Sequence, residues 1–272
     1  MTFNIRKELT NFLAEDIGKK DITSALLPKK KISAKIISRE KAVVAGAKFA
    51  KEIFNIMGCS VQIVKKDGQK IQPNQTIMRI SGNADKILTC ERTALNLLSR
   101  MSGIATQTNE LVSKISSKKT KLYATRKTAP GLRFFDKEAV RIGGGEKHRM
   151  RLDEMVMIKD NHIAASNSIV DLIKNAKKKY KNFEVEVENN SDALLAANEG
   201  ATIIMLDNFS PSQIKKTIEN LKKEKLRNKV KLEASGGITS KNMSQYAKTG
   251  VDIISVGSIT NSVKGIDVSL EI

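Results

Sequence analysis

The 272-residue sequence has no tryptophan, and aromatic residues make up only 4% of it. Proteins that hold single-stranded nucleic acid interleave stacking rings with cations, and no segment here does so, although the net charge is +19. Cysteine is equally scarce: Cys59 and Cys90 stand far apart without CxxC partners, which argues against a disulfide framework or a zinc knuckle and marks both as small core residues. No apolar run approaches the length needed to cross a bilayer. Met1 to Ser24 lacks the charged start and apolar centre of a signal peptide, so the expected location is cytoplasmic.

What is present suits an enzyme. Hydrophobic residues at 40% and charged ones at 28% are ordinary for a globular chain, and the length allows one large α/β barrel or two domains. Much of the positive charge lies in lysine runs at Lys29–Lys31, Lys177–Lys179 and Lys222–Lys223, on or beside helical segments. A solvated lysine-rich surface explains these runs better than a nucleic-acid face.

The chain opens on a helical pattern from Phe3 to Glu15, broken by Gly18. Between Ile32 and Ile80 short strands follow (KISAKIIS, KAVVAG, VQIVK, TIMRIS), with a helix, AKFAKEIFNIMG, among them that ends at Gly58. This reads as a small α+β domain. Asn83 to Ser116 is helical, with Asp85 as a candidate cap and Gly103 as an expected interruption. Arg92 on that helix reads, from spacing alone, as a surface ion-pair partner.

After Thr120 the rhythm changes to apolar strands alternating with amphipathic helices: KLYAT, MVMIK, FEVEV, TIIML, KVKLEA and DIISV are the strands, and 133–144 is a candidate seventh. Such alternation indicates βαβ units and suits a TIM-like barrel, and no GxGxxG follows any strand. Chemistry in a barrel belongs at the carboxyl ends of its strands. Those ends carry Arg126 and Lys127, then Lys159, then Glu186 and Glu188, then Asp207, and finally Ser235-Gly236-Gly237 and Gly257-Ser258. The last two, each expected to open a helix, present backbone N–H groups suited to phosphate. Glu186 and Asp207 offer oxygen ligands for Mg²⁺.

One stretch concentrates the cations. Between Ala124 and His162, Arg126, Lys127, His148, Arg149 and Lys159 surround a loop containing Gly143, Gly144 and Gly145, a pattern that reads as a flexible pocket for an anionic small molecule. His148, flanked by Lys147 and Arg149, suits function better than a core role, whereas for His162 a structural hydrogen bond is as reasonable as substrate contact. Met155 and Met157 read as core. Alternation points Glu184, Glu186 and Glu188 the same way.

The ordered motifs TRKTAPGLRFFDKEAVRIGGGEKHR, MVMIKDNHI, VEVEN, LDNF, EASGGI and DIISVGSIT, with EDIGKKDIT and ERTALN before them, resemble the quinolinate phosphoribosyltransferase family over nearly the whole chain. The resemblance implies an α/β chain: an N-terminal α+β sandwich over residues 1–103, to which 263–272 would return, and an incomplete seven-stranded TIM-like α/β barrel over 104–262. It implies a cytoplasmic homodimer with shared active sites, and transfer of phosphoribosyl from phosphoribosyl pyrophosphate to quinolinate, with decarboxylation and Mg²⁺, in NAD synthesis. It places quinolinate near Arg126, His148, Arg149 and Lys159, with Arg92 supplied by the other subunit. Lys127 and Lys159 would also face the phosphoribosyl substrate, Glu186 and Asp207 its ribose and metal, and Ser235, Gly236, Gly237, Gly257 and Ser258 its phosphates. Lys127, Lys159, Glu186 and Asp207 would be the catalytic residues. A related pyrophosphorylase acting on another acid, or a barrel enzyme using Lys159 as a Schiff base, are the alternatives.

Overall fold

A computed structural model describes residues 3–272, so Met1 and Thr2 of the N-terminal segment lie outside the described residues. The chain divides into two compact units, one of Met1–Asn109, Glu138–Gly143 and Ser262–Ile272, the other of Glu110–Lys137 and Gly144–Asn261.

In the first unit, the Asn4 side chain accepts the Lys7 N–H and starts α1 (Ile5–Ile17), as N-caps commonly do. There follow β1 (Lys31–Ser38), β2 (Ala42–Val43), α2 (Ala47–Ile56), β3 (Ser60–Ile63), β4 (Lys70–Ile71), β5 (Thr76–Asn83) and α3 (Ala84–Ser113). Phe49, Ala50, Ile53 and Phe54 recur at helical spacing on α2 and are buried. They place α2 against β3 and β5, and α1 packs on α2. The antiparallel sheet runs β12-β1-β5-β3, where β12 is Val268–Glu271. The C-terminal segment thus returns to this sheet, with Ile36 opposite Leu270. Both cysteines are free and buried.

The helix expected to stop at Gly103 does not stop. α3 is continuous through residue 103, where a Cβ would lie 2.0 Å from the Lys264 carbonyl oxygen. The glycine serves a close backbone approach, and the buried Leu98, Met101, Ile104 and Ala105 on either side hold the helix together.

The second unit is a parallel sheet of six strands, ordered β6-β11-β10-β9-β8-β7. In chain order it contains β6 (Lys121–Tyr123), part of α4 (Arg133–Ile142), β7 (Val156–Ile158), α5 (Asp160–Ser166), α6 (Ile169–Lys179), β8 (Phe183–Val187), α7 (Asn190–Glu199), β9 (Ile203–Asp207), α8 (Pro211–Lys223), β10 (Lys231–Ser235), α9 (Met243–Ala247), β11 (Ile253–Ser255) and α10 (Ser258–Asn261). Strands such as FEVEV and IIMLD are buried almost throughout, as strands covered on both faces must be.

The candidate seventh strand at 133–144 is instead a helix. Phe135 and Ala139 are buried at a spacing of one helical turn, the period of a helix face and not of a strand. Strand pairing shrinks to one isolated parallel bridge between Tyr123 and Glu146 beside β6, and the sheet stays open.

The glycine loop after α4 is held, not free. A Cβ at Gly143 would lie 2.5 Å from the Ala105 carbonyl oxygen, and Lys137, fully buried on α4, donates from Nζ to the carbonyl oxygens of Lys147 at 2.6 Å and Arg149 at 2.5 Å. Burial, with the charge of Arg133 next in weight, lowers the Lys137 pKa from 10.5 to about 8. The unfolded chain therefore binds this proton more tightly than the native one. The burial penalty is fully present below about pH 8 and fades as pH rises towards 10.5. Denaturation of wild type and Lys137→Met from pH 7 to 10.5 should show wild type gaining stability relative to the variant across that window, and a pH-independent difference would contradict the assignment.

Candidate active site

The carboxyl ends of the parallel strands surround a cavity of ≈ 370 Å³. Thr125, Arg126 and Lys127 enter it after β6, Met157 and Lys159 from β7 and its exit, Glu186 from β8, Asp207 from β9, Ser235 from β10 and Ser255 from β11. His148 and Arg149 complete this wall from the glycine loop. Residues scattered over more than a hundred positions converge because parallel strands all deliver their ends to one side of the sheet.

The cations are individually braced. Arg149 donates from Nη1 to the Met155 carbonyl at 2.9 Å and from Nη2 to the Met157 sulfur at 3.3 Å. Met155 and Met157, expected in the core, are only partly buried because they pack beside this guanidinium and Met157 lines the cavity. Burial first, and then the charge of Arg126, lower the Arg149 pKa, as expected of two guanidinium groups facing one space. Arg126 Nε and Ser255 Oγ are buried with no hydrogen-bond partner. Buried donors of this kind are costly unless something accepts from them, so the wall is suited to an anion.

Carboxylates occupy the middle strands. Lys159 Nζ pairs closely with the Glu186 carboxylate, while Asp207 accepts from Asn208 Nδ2 at 2.7 Å. Glu188 is exposed beyond the end of β8, so alternation stops with the strand.

The phosphate-type loops differ in part from expectation. Gly236 and Gly237 have φ of 89° and 60°, and a Cβ at Gly236 would lie 2.1 Å from Asn208 Oδ1. They do not open a helix: α9 starts only at Met243, since two successive left-handed residues make a turn. Ser258 does begin a helix, the short α10. Lys127 is exposed, its carbonyl accepts the Thr260 hydroxyl at 2.7 Å, and its stem passes Gly257 so closely that a Cβ there would lie 3.1 Å from Cδ. Of these loops Ser235 lines the cavity, while Gly236, Gly237, Gly257 and Ser258 lie outside its lining.

Arg92 is not part of this pocket within one chain. It is exposed on α3 and lines a separate cleft of the first unit with Asp16 and Asp21. His162 takes the structural role: its Nδ1 accepts the Lys159 N–H at 3.0 Å at the start of α5.

His148 and Glu233, both in the cavity lining, form with Glu184 a cluster that the strand-end reading does not assemble. His148 Nε2 is 3.4 Å from carboxylate oxygens of both Glu184 and Glu233, whose side chains are wholly buried. Burial acts to lower the His148 pKa, but the hydrogen bonds and charges of the two glutamates outweigh it and raise it to about 9. Period-two alternation was the available signal: Glu184 lies two residues before Glu186, and Glu233 two before Ser235, so each shares a face with a pocket residue. Lys137 carried no comparable sign, because a lysine among helical charges ordinarily faces solvent.

Two family models match the chain: the quinolinate phosphoribosyl transferase N-terminal domain over residues 21–102 and the C-terminal domain over 104–271. A relative from Methanothermobacter thermautotrophicus, a probable nicotinate-nucleotide pyrophosphorylase (carboxylating), is 43% identical over 97% of this chain and 97% of its own. A protein of the same description from Bacillus subtilis is 40% identical over 98% of this chain and 93% of its own. The solved nicotinate-nucleotide pyrophosphorylase from Francisella tularensis superposes with a TM-score of 0.91 at 42% identity, covering 98% of this chain and 95% of its own. The chain belongs to the quinolinate phosphoribosyl transferase family.

Proposed function

We propose that this protein transfers the phosphoribosyl group of phosphoribosyl pyrophosphate to quinolinate and releases CO₂, giving nicotinate mononucleotide and pyrophosphate in NAD synthesis. The observation that carries the reading is the convergence of Arg126, Arg149 and Lys159 on one cavity that also holds Glu186 and Asp207. Quinolinate bears two adjacent carboxylates, and planar guanidinium forks bind carboxylates bidentately, orienting the ring nitrogen towards the anomeric carbon. Arg126 Nε, buried without a partner, is the natural donor to one of them.

As the nitrogen attacks, pyrophosphate leaves and the ribose acquires cationic character. Glu186 and Asp207 favour that positive charge, while Lys127 and Lys159 offset the negative charge on the leaving group. Their two carboxylates, on adjacent strands of the pocket, are hard oxygen donors of the kind Mg²⁺ uses together with substrate phosphates. Bound there, Mg²⁺ would neutralise the pyrophosphate. The backbone N–H groups of Gly236-Gly237 and Gly257-Ser258 would meet the phosphate oxygens. Once ribosylated, the pyridinium nitrogen accepts the electrons left when the adjacent carboxylate departs as CO₂. No side-chain nucleophile is needed, and the pairing of Lys159 with Glu186 favours a charged donor over a Schiff-base amine.

The protein works as a homodimer in which Arg92 of the partner subunit closes each acid pocket. The exposure of Arg92 outside the cavity of its own chain supports this arrangement. Two free, buried cysteines suit a reducing cytoplasmic setting.

Purified protein with Mg²⁺, quinolinate and phosphoribosyl pyrophosphate should release CO₂ and pyrophosphate in equal amounts; turnover of another aromatic acid but not quinolinate would reject the substrate. Arg126→Ala should raise the quinolinate KM roughly 10- to 100-fold, the loss of one charge-assisted contact, with a much smaller effect on the KM for phosphoribosyl pyrophosphate. Arg92→Ala and Arg149→Ala proteins, each inactive alone, should recover part of the activity when co-assembled. Verified mixed dimers without activity would sink the shared site.

A further inference from the structure

The proposed function uses Arg149 but leaves unexplained why two wholly buried glutamates converge on the neighbouring histidine. Glu233 on β10 is part of the cavity lining and Glu184 on β8 lies outside that lining, and none of their carboxylate oxygens has a hydrogen-bond partner apart from the 3.4 Å approaches to His148 Nε2. Uncompensated burial of two carboxylates is expensive, so the pair is not a by-product of packing.

The other side of the ring is equally engaged. The Arg149 backbone N–H donates to His148 Nδ1 at 2.7 Å, which requires a lone pair on Nδ1. The Tyr123 ring meets the imidazole edge-on at 5.5 Å between centroids. His148 also has φ of 55°, a left-handed backbone that a non-glycine residue adopts only when its surroundings hold it there. The two glutamates push the His148 pKa up, towards a ring protonated on both nitrogens, but an Nδ1 that accepts an N–H at 2.7 Å carries no proton of its own. The geometry of both contacts together selects the imidazole with its proton on Nε2.

We propose that Glu184 and Glu233 are positioning residues of the acid pocket: they fix the His148 Nε2–H, and through the ring and its left-handed backbone they set the Arg149 guanidinium on the cavity wall. His148 is the pivot of this arrangement. From the opposite side, Lys137 ties down the carbonyls of Lys147 and Arg149, so the short segment that carries the cation is clamped from two directions. This inference rests on the reading of Arg149 as a quinolinate ligand.

The test uses Glu184→Gln, Glu233→Gln and the double variant in the full-length enzyme, where glutamine preserves shape but offers an NH₂ group as well as an acceptor to Nε2. A His162→Asn background leaves His148 as the single imidazole, so its ¹⁵N signals need no further assignment. The intact enzyme should show the proton on Nε2 at neutral pH. The double variant should lose that fixed tautomer and raise the quinolinate KM roughly ten- to a hundredfold, as small misplacements of a binding group do, with the KM for phosphoribosyl pyrophosphate within about twofold. Glu184→Asp and Glu233→Asp, which keep the acceptor, should recover part of the loss. Unchanged His148 signals, or an unchanged quinolinate KM in a folded double variant, would overturn the proposal. Arg149→Ala separates the two claims. If it leaves quinolinate binding intact, the acid-pocket reading fails and the positioning role with it. If it abolishes binding while the double variant binds normally, only the positioning role fails.

Discussion

Several positive charges facing one small space repel each other, and the site depends on how that repulsion is contained. Arg126 and Arg149 are close enough for the first to depress the pKa of the second. One counterweight is mostly buried, the Glu186 carboxylate on Lys159, while Glu184 and Glu233 hold the His148 ring beside Arg149. Hydrogen bonds to backbone and sulfur then fix directions, with Met155 and Met157 aiming Arg149. In an interior of low effective dielectric such contacts count for more than they would in water, so the wall is preorganised for a dianion before one arrives.

The open parallel sheet supplies the geometry that this electrostatics needs. Neighbouring strands carry opposite charges into the same cavity, Lys159 after β7 and Glu186 on β8. One residue pair deeper in the sheet, Glu184 and Glu233 occupy the same face as the pocket residues Glu186 and Ser235. The strand period thus sets Glu184 and Glu233 one step in from the strand ends. Their side chains are wholly buried, which is why they need a donor as close as the His148 Nε2–H.

Much of this was legible in the sequence because it follows simple periods. The parallel strands and the helices between them came from alternation of apolar runs, and the cations at their ends came from reading where those runs stop. The failures have physical causes. At Gly103 a residue known for breaking helices instead permits the Lys264 carbonyl to approach, a tertiary contact that no local pattern encodes. At 133–144 the strand count of a barrel invites a seventh strand, whereas the Phe135–Ala139 spacing is that of a helix. Lys137 carries no sign in the sequence, and Glu184 and Glu233 only their alternation with Glu186 and Ser235, because charged residues ordinarily face solvent; only the folded chain shows these three wholly buried. The surroundings of His148 are hidden for the same reason: its neighbours in sequence are cations, whereas its neighbours in space include the two buried glutamates.

The central claim is that a braced cationic wall receives the two carboxylates of quinolinate. A crystal structure of the protein with quinolinate tests it most directly. The account predicts the carboxylates on Arg126, Arg149 and Lys159, with His148 Nε2 still directed at Glu184 and Glu233. Quinolinate bound away from this wall, or His148 swung out of its carboxylate pair to meet the ligand, would contradict it.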